Sequence, residues 1–402
     1  MIVRELVLLG DGRTDLATHL ARYGPLPATI DRAALLRDVD GAGLTGRGGA
    51  AYPAARKIAA VARNAARTRR DPLVIGNGTE GEPAIDKDKT LMTRSPHLVL
   101  DGAQIAALLT GAPAAVIVVH PRALGAMKHA AAERAGGPVR LSVRRAADGF
   151  VAGEATATAC WVARGASTPT GTPPRLSEHG PAGVPTLVQN VETLAHLALI
   201  ARYGPAWFRS AGTPSEPGSM LVTITGAVRA PGVREIGIGM PVRHVLEQAD
   251  GPSAPLRALL LGGYSGAWAN AAEAMGLPLS AAGLADLGAA PGAGLVAALP
   301  ADACGLQETA RLARYLARQS AGQCGPCVFG LDAIATEVSR IADGRGGGIA
   351  LLTRWLGQVD GRGACSHTSG AARLIRSALR VFGDDLADHA AGRCAVSPGV
   401  IR

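Results

Sequence analysis

Aromatic side chains are scarce: 4 Trp, 5 Tyr and 4 Phe make up 3% of the 402 residues. Proteins that hold single-stranded nucleic acid stack bases on rings beside basic groups. Here the arginines are scattered, so the net charge of +9 is read as a solvated, Arg-rich surface and no nucleic-acid partner is expected. Such a charge favours an acidic protein partner or an anionic cofactor. Lysine is scarcer still: of 41 basic residues only Lys57, Lys87, Lys89 and Lys128 are lysines, which singles out Lys57. Long apolar runs are missing. The longest, residues 98–120, is broken by Asp101, Gln104, Gly111 and Pro113 and falls short of the ~18 uninterrupted apolar residues of a membrane span. Arg4 and Glu5 precede the first short apolar run without a cleavage-type segment, so a cytoplasmic location is expected. Six cysteines (160, 304, 324, 327, 365 and 394) in a long cytoplasmic chain leave metal, redox or core roles and no disulfide framework.

What is present is length enough for two or three domains, at roughly 100–200 residues each. Residues 1–40 read as a lead-in segment. Strand patterns at 73–75, 114–119 and 139–143 alternate with helical patterns at 96–109 and 123–134, which implies a parallel α/β sheet. Residues 150–151 read as a further strand end. A Pro-, Gly- and Thr-rich loop at 167–185 is suited to folding over a ligand, and a helix is expected over 192–202. Residues 210–218, rich in Gly, Ser and Pro, mark a boundary. Strands near 220–228, 232–236 and 258–261 with one helix at 242–247 form the pattern of a small β-grasp module. Beyond Pro300 the pattern is helical: 306–318, 331–341, 350–357 and 371–382 carry apolar residues at three-and-four spacing. The expected domains are therefore 1–212, 219–300 and 301–402.

Five constellations carry chemistry. Gly46-Arg47-Gly48-Gly49-Ala50-Ala51-Tyr52-Pro53 leads toward Lys57; glycines let backbone N–H groups approach a phosphate, and a helix N-terminus adds positive potential. Neither the Walker nor the dinucleotide spacing is present, and read alone the segment is as well explained as a flexible loop. Asn77-Gly78-Thr79-Glu80-Gly81-Glu82-Pro83 follows the first strand, where ligands bind in open α/β sheets; the acidic groups suit sugar hydroxyls or a carboxamide, or are simply solvated. The adjoining Asp86-Lys87-Asp88-Lys89 reads as a solvated charge run. Gly153-Glu154 and Gln189-Asn190-Val191-Glu192-Thr193 say little singly, Asn190 being suited to cap the next helix. Cys324-Gly325-Pro326-Cys327, with Cys365 38 residues on, suits a metal centre or cluster; a redox dithiol is the rival, without its usual βαβ context.

Taken together and in this order, these pieces resemble the NADH-binding flavoprotein subunits of respiratory complex I and their relatives in NAD-reducing hydrogenases and formate dehydrogenases, from about Gly43 to Phe382. The resemblance implies a Rossmann-like flavin domain, a β-grasp ligand-binding module and a helical iron–sulfur domain. It implies FMN held by Gly46, Arg47, Gly48, Gly49, Lys57, Asn77, Thr79, Glu80, Gly153, Glu154, Gln189, Asn190 and Thr193. NADH is expected at Tyr52, Glu82 and Glu154, and an iron–sulfur cluster at Cys324, Cys327 and Cys365. Hydride passes from NADH to FMN and single electrons leave to an iron–sulfur partner protein or ferredoxin; the cofactor performs the redox chemistry and the protein positions it. Any association with a membrane complex is peripheral, through partners.

The departures from that pattern matter equally. The family reads Ser-Cys-Gly-x-Cys-x-Pro-Cys where this chain has Ser320-Ala321-Gly322-Gln323-Cys324-Gly325-Pro326-Cys327, so the first cluster ligand is missing. A four-iron cluster with His367, Ser320 or Cys304 as substitute, a three-iron cluster, or none all remain open. The aromatics expected beyond the lysine and in the Gly-Pro-Ala-Gly loop are Ala60 and Ala182, the second Glu after Gly153 is Ala155, and the acidic-loop Asp is Thr79. These losses weaken NADH binding more than flavin binding. They leave two alternatives to the NADH-oxidising enzyme: a flavoprotein with another reductant such as a ferredoxin, and a non-catalytic assembly module.

Overall fold

The computed structural model describes residues 7–10, 12, 15–171, 173–394 and 401. The chain divides into two compact units: Met1–Gly81, Asp86–Leu221 and Glu235–Ile238 form the first, and Glu82–Ile85, Val222–Arg234 and Gly239–Arg402 the second.

The first unit is built on a four-stranded sheet, β1 (Leu73–Gly78), β2 (Ala114–Val119), β3 (Arg140–Arg145) and β4 (Thr186–Asn190), ordered β3-β2-β1-β4 with every pairing parallel. α1 (Leu16–Tyr23), α2 (Arg32–Ala42) and α3 (Ala54–Thr68) precede it. α4 (Lys87–Arg94) and α5 (Pro96–Thr110) connect β1 to β2, and α6 (Leu124–Ala132) connects β2 to β3. α7 (Ala155–Arg164) and the short α8 (Leu176–His179) lead to β4, which runs into α9 (Val191–Arg209). Residues 150–151 are not a strand end: Val151–Gly153 is a 3-10 turn entering α7. The helix expected to stop near 202 continues to Arg209 past a kink where Gly204 takes φ 79 before Pro205.

Packing follows from composition. Ile75, Val118, Ala146, Ala159 and Val188 form a buried cluster with Trp161 and Leu176 against it, so α7 covers the sheet through its apolar side. α5 is apolar nearly all round and buried nearly all round, as such a helix must be. Its Gly102 lies where a Cβ would stand 1.9 Å from the Leu194 carbonyl oxygen of α9, so only glycine permits that helix crossing. The lead-in segment is integral to the unit. Asp101 on α5 accepts from His19 of α1 at 2.8 Å, from Arg202 of α9 at 2.5 Å and from Arg134. Burial alone would raise the Asp101 carboxyl, but His19, Arg134 and Arg202 hold it at about 2.

From β1 the chain steps to β2 and β3 on one side of the sheet, then crosses to β4 on the other. The carboxyl ends of β1 and β4, where Asn77 lies in register with Asn190, therefore flank the topological switch point at which open α/β sheets bind ligands.

The second sheet has five strands, β5 (Ser219–Gly226), β6 (Gly232–Gly237), β7 (Leu256–Leu261), β8 (Ala267–Asn270) and β9 (Leu295–Pro300), ordered β6-β5-β9-β7-β8, and belongs to the second unit except for residues 219–221 and 235–237. β9 runs parallel to β5 and antiparallel to β7. α10 (Val242–Glu247) and α11 (Ala271–Ala274) are its short helices, and α12 (Gly305–Arg318), α13 (Asp332–Ala342), α14 (Ile349–Val359), α15 (His367–Val381) and α16 (Asp385–Ala390) follow. The helices pack on the sheet in one core: Trp268 of β8 meets the Phe382 ring edge-on at 5.2 Å, and the Trp268 backbone N–H donates to Ser377 Oγ of α15 at 2.9 Å. Among the described residues no helix is long and apolar enough to cross a membrane.

Candidate functional site

The glycine loop is a closed excursion between Thr45 and Pro53, which pair across an antiparallel bridge. Gly46 N–H donates to the Tyr52 carbonyl at 3.0 Å and Ala54 N–H to the Leu44 carbonyl at 2.9 Å. Ala51 takes a left-handed φ of 48, a conformation of modest cost in a non-glycine residue that tight turns next to sites retain. The loop opens directly into α3, whose N-terminus has no side-chain cap; the Ala54 N–H is taken by Leu44, which leaves the next N–H groups, of Ala55 and Arg56, to an anion. Lys57, in the second turn of α3, donates to the Val188 carbonyl of β4 at 2.5 Å. Burial depresses its ammonium to about 8, against the opposing charge of Glu154.

Arg47 stands apart from the phosphate-cradle reading of its loop. Its buried guanidinium donates to the Ser219 carbonyl at 3.2 Å, the Pro217 carbonyl at 3.3 Å and Thr45 Oγ1 at 2.8 Å. What it gives the loop is backbone placement, through its N–H to Thr193 Oγ1 at 2.9 Å.

The strand ends converge as the switch point requires. Asn77 Nδ2 donates to the Gly153 carbonyl at 2.8 Å, joining the β1 end to the turn before α7. Asn190 caps α9 by accepting from Glu192 N–H at 2.9 Å, while its Nδ2 donates to Asp88 Oδ2 at 2.6 Å. Gln189 is buried one residue earlier on β4. Glu80, with φ 42, accepts from the N–H groups of Asp88 at 2.7 Å and Lys89 at 3.0 Å, holding the first turn of α4. Burial and the neighbouring Asp88 raise its carboxyl to about 7 against the pull of Lys89 and Lys87.

Three of the four residues in the stretch read as a solvated charge run are buried. Lys87, Asp88 and Lys89 are 2%, 5% and 8% exposed. Lys87 Nζ lies 2.7 Å from Asp88 Oδ1 and 2.8 Å from Glu192 Oε2. Burial opposes its charge, but the two carboxylates outweigh it and raise the pKa. Glu192, fully buried, is drawn the other way to about 2 by Lys87, His196 and Arg47 despite its burial. Lys87, Asp88 and Glu192 thus form a buried ion cluster that Asn190 joins through Asp88, a set that sequence reasoning did not bring together. The available signal was composition: two of the chain's four lysines lie in this one turn.

The residues expected to meet NADH are each held differently. Tyr52 is 50% exposed on the glycine loop. Glu154 caps α7, accepting from Thr156 N–H at 2.8 Å and Ala157 N–H at 2.9 Å. Glu82 belongs to the second unit, where its carboxylate accepts the Tyr264 N–H and where a Cβ on Gly263 would stand 2.5 Å from Glu82 Oε1.

In the second unit Cys324 precedes a π-helical turn, Pro326–Leu331, that carries Cys327; such turns recur at functional positions. Cys324 and Cys365 are both near enough to Cys327 to act on its thiol. Burial pushes the Cys327 thiol up to about 12, helped by Cys324 and Cys365 beside it, while Ser320 bonds to it and pulls the other way. Of the three candidate substitute ligands, Ser320 acts directly on the Cys327 thiol. His367 Nε2 donates to the Leu316 carbonyl at 2.8 Å, and Cys304 faces His389 Nε2 at 3.1 Å.

The order of these motifs has counterparts in known proteins. The Nuo51 FMN-binding domain family matches residues 39–199, and the NADH-ubiquinone oxidoreductase-F iron–sulfur binding region matches residues 307–389. The chain belongs to the family of NADH-binding flavoprotein subunits. It is 29% identical over 366 residues to an NADH-quinone oxidoreductase F-type chain of Rhizobium meliloti, covering 86% of each chain. It is 28% identical over 374 residues to the corresponding NADH-quinone oxidoreductase chain of Escherichia coli, covering 87% of this chain and 83% of that one. A solved NAD+-reducing [NiFe]-hydrogenase superposes with a TM-score of 0.82 at 29% identity, over 96% of this chain and 66% of the hydrogenase chain.

The residues of this flavoprotein suit the cofactors of its family. Thr79 Oγ1 is buried just past the end of β1 with no hydrogen-bond partner, a donor or acceptor of the kind a polar ligand there would satisfy. A Cβ on Gly48 would press on Asn190 Cβ at 3.3 Å, so glycine keeps the loop and the β4 end open to each other. Cys327 is buried and Cys324 and Cys365 are half-buried; their thiols are soft donors that would suit iron at three corners of a cluster. Ala321, at the position of the fourth, is exposed and has no donor atom.

Proposed function

We infer that this chain is the FMN-dependent electron-entry subunit of an NADH dehydrogenase, passing electrons from NADH to an iron–sulfur partner. The observation that carries this reading is the convergence of the glycine loop, Lys57, Asn77, Glu80, Gly153 and the Gln189-Asn190-Thr193 element at one sheet switch point. FMN, when bound, supplies the chemistry of taking a hydride and releasing single electrons. The chain's own residues do the positioning. The uncapped start of α3 and the loop N–H groups receive the phosphate, with the Lys57 ammonium as its counter-charge. Asn77, Thr79 and Asn190 offer amide and hydroxyl groups to the remaining polar edges, and Gln189 backs them. Arg47 and the Lys87 cluster hold the loop and the α4 and α9 starts in place. No acid or base is required for hydride transfer itself, so Glu82 and Glu154 orient the nicotinamide nucleotide or support the groups that do. The domain reading is a Rossmann-like flavin domain over 1–212, a β-grasp module over 219–300 and a helical cluster-binding region over 301–402, acting in the cytoplasm. Phe329, two residues beyond Cys327 and 76% exposed, offers the partner an apolar contact beside the thiols.

Equilibrium titration of the full chain with FMN tests this. One FMN binds, and Lys57→Ala raises its dissociation constant roughly 10- to 150-fold, the loss of a charge-assisted bond worth ~1.5–3 kcal/mol. Lys128→Ala, an exposed lysine on α6, leaves it unchanged. Absence of saturable binding to the intact chain sinks the reading. NADH then bleaches the bound flavin, with a weak Michaelis constant because Ala60 and Ala182 supply no ring. Ala60→Phe lowers that constant several-fold, about 1 kcal/mol of stacking, with turnover little changed. Position 182 is the poorer place to restore a ring, since its left-handed φ of 54 penalises a bulky side chain. An unaltered NADH constant in Ala60→Phe shows that α3 does not face the nucleotide.

A further inference from the structure

The helical end of the chain holds a second set of sulfur and nitrogen donors outside the cluster motif. Cys304, His389 and Cys394 each place one donor atom within 4.8 Å of the other two. Cys304 caps the start of α12, His389 lies on α16 and Cys394 follows α16; the first two are buried and the third half-buried. His389 Nδ1 lies 2.6 Å from the Ala342 carbonyl oxygen. A carbonyl only accepts, so Nδ1 carries the proton and Nε2 directs its lone pair at Cys304 Sγ, 3.1 Å away. The same Ala342 oxygen accepts from Gln307 Nε2 at 2.7 Å, and the Gln307 N–H donates to Cys304 Sγ at 3.3 Å. One glutamine and one carbonyl therefore orient two of the three donors, the kind of support that metal-binding imidazoles and thiolates receive from their surroundings.

We propose that Cys304, His389 and Cys394 bind one zinc ion, with a water molecule or other exogenous donor in the fourth position. A tetrahedral ion with sulfur at about 2.3 Å and nitrogen at about 2.0–2.1 Å separates those two donors by roughly 3.5 Å, so the observed spacing needs a shift of only tenths of an ångström. Two thiols and an imidazole select a borderline-soft ion and reject the hard magnesium and calcium ions. Binding releases the two thiol protons to solvent while His389 keeps its Nδ1 proton. Two thiolates cancel the dication, so the site is neutral and suited to burial. The ion joins the start of α12 to the segment after α16, closing the two ends of the helical region that carries Cys324, Cys327 and Cys365.

The test uses the full chain, produced in zinc-supplemented medium without a metal-affinity tag. X-ray absorption at the zinc edge is expected to show two sulfurs and one imidazole nitrogen with a light fourth donor; a shell of three or four sulfurs puts the metal at the cluster cysteines and overturns the proposal. After reduction and metal removal, titration with cobalt(II) alone is expected to saturate near one equivalent with the intense visible bands of a tetrahedral thiolate site. Cys394→Ser and His389→Gln each weaken that binding at least 10-fold, whereas the triple variant Cys324→Ser, Cys327→Ser, Cys365→Ser retains it. Loss in the triple variant with retention in Cys394→Ser refutes the assignment, as does a reduced wild-type chain that gives no tetrahedral spectrum. A Cys304–Cys394 disulfide in the purified chain, with no metal taken up once it is reduced, refutes it equally.

Discussion

Replacing Lys87 with methionine is expected to destabilise the first unit by about 3–5 kcal/mol, the loss seen when one partner of a buried ion cluster is removed and its counter-charges stay behind. The ammonium is 2% exposed and sits between Asp88 and Glu192, themselves 5% and 0% exposed. Methionine fills the space but leaves two carboxylates facing each other out of water. Urea unfolding of wild type and variant measures the difference. Its pH dependence is a second signature. Glu192 is held at about 2 in the folded chain against an ordinary value near 4.5. A lowered folded value gives stability that is present above pH 4.5 and is lost as the pH falls toward 2. The wild type therefore loses this contribution on acidification, whereas the variant, lacking the ammonium that depressed Glu192, has less to lose. The gap between them is widest near neutrality and narrows in acid. A gap under about 1 kcal/mol, or one that ignores pH, means that Lys87 is not what holds Glu192.

The same cluster shows where sequence reasoning reaches and where it stops. Elements whose determinants are local were legible. β2 is a six-residue apolar run, α12 carries its buried leucines at helical spacing, and Cys324 and Cys327 announce themselves by separation alone. Asp86-Lys87-Asp88-Lys89 has the composition of a solvated turn, and the local pattern does not show otherwise. Its fate is decided by Glu192, 105 residues later in the chain, and by Glu80, whose carboxylate takes the N–H groups that start α4. Arg47 was misleading for a related reason. In sequence it belongs to a phosphate-type loop, yet its guanidinium meets carbonyls of Pro217 and Ser219 about 170 residues away. Cys304 and His389 are 85 residues apart and carry no spacing signature, so only the closing of the helices brings them together. The strand β9 was missed because a short apolar run ending in proline has no alternation to separate it from a buried helix segment.

The largest change at the other site is expected from a gain. Ala321→Cys is expected to raise bound iron and sulfide toward four of each per chain and to slow cluster loss in air, while Cys324→Ala abolishes the cluster. Burial, helped by Cys324 and Cys365, pushes the Cys327 thiol up to about 12; neighbouring thiolates are stable only when a metal centre balances their charge. The family pattern closes the site with a fourth cysteine, and here position 321 offers only a methyl group. An iron left to water or an exogenous thiol at that corner is the one surrendered to oxygen or chelator, so the wild-type chain is expected to hold an incomplete or labile cluster. Anaerobic purification followed by iron and sulfide assay and timed exposure to air compares the three proteins. Four irons held stably in air by the wild type would show that another side chain fills the corner. Ser320 is then the residue to replace first, because its hydroxyl already bonds to Cys327, whereas Cys304 is turned to His389. Ser320→Ala in the wild-type background would lower iron content if the serine is that ligand. In the Ala321→Cys background it would change nothing, since the fourth corner there is already sulfur.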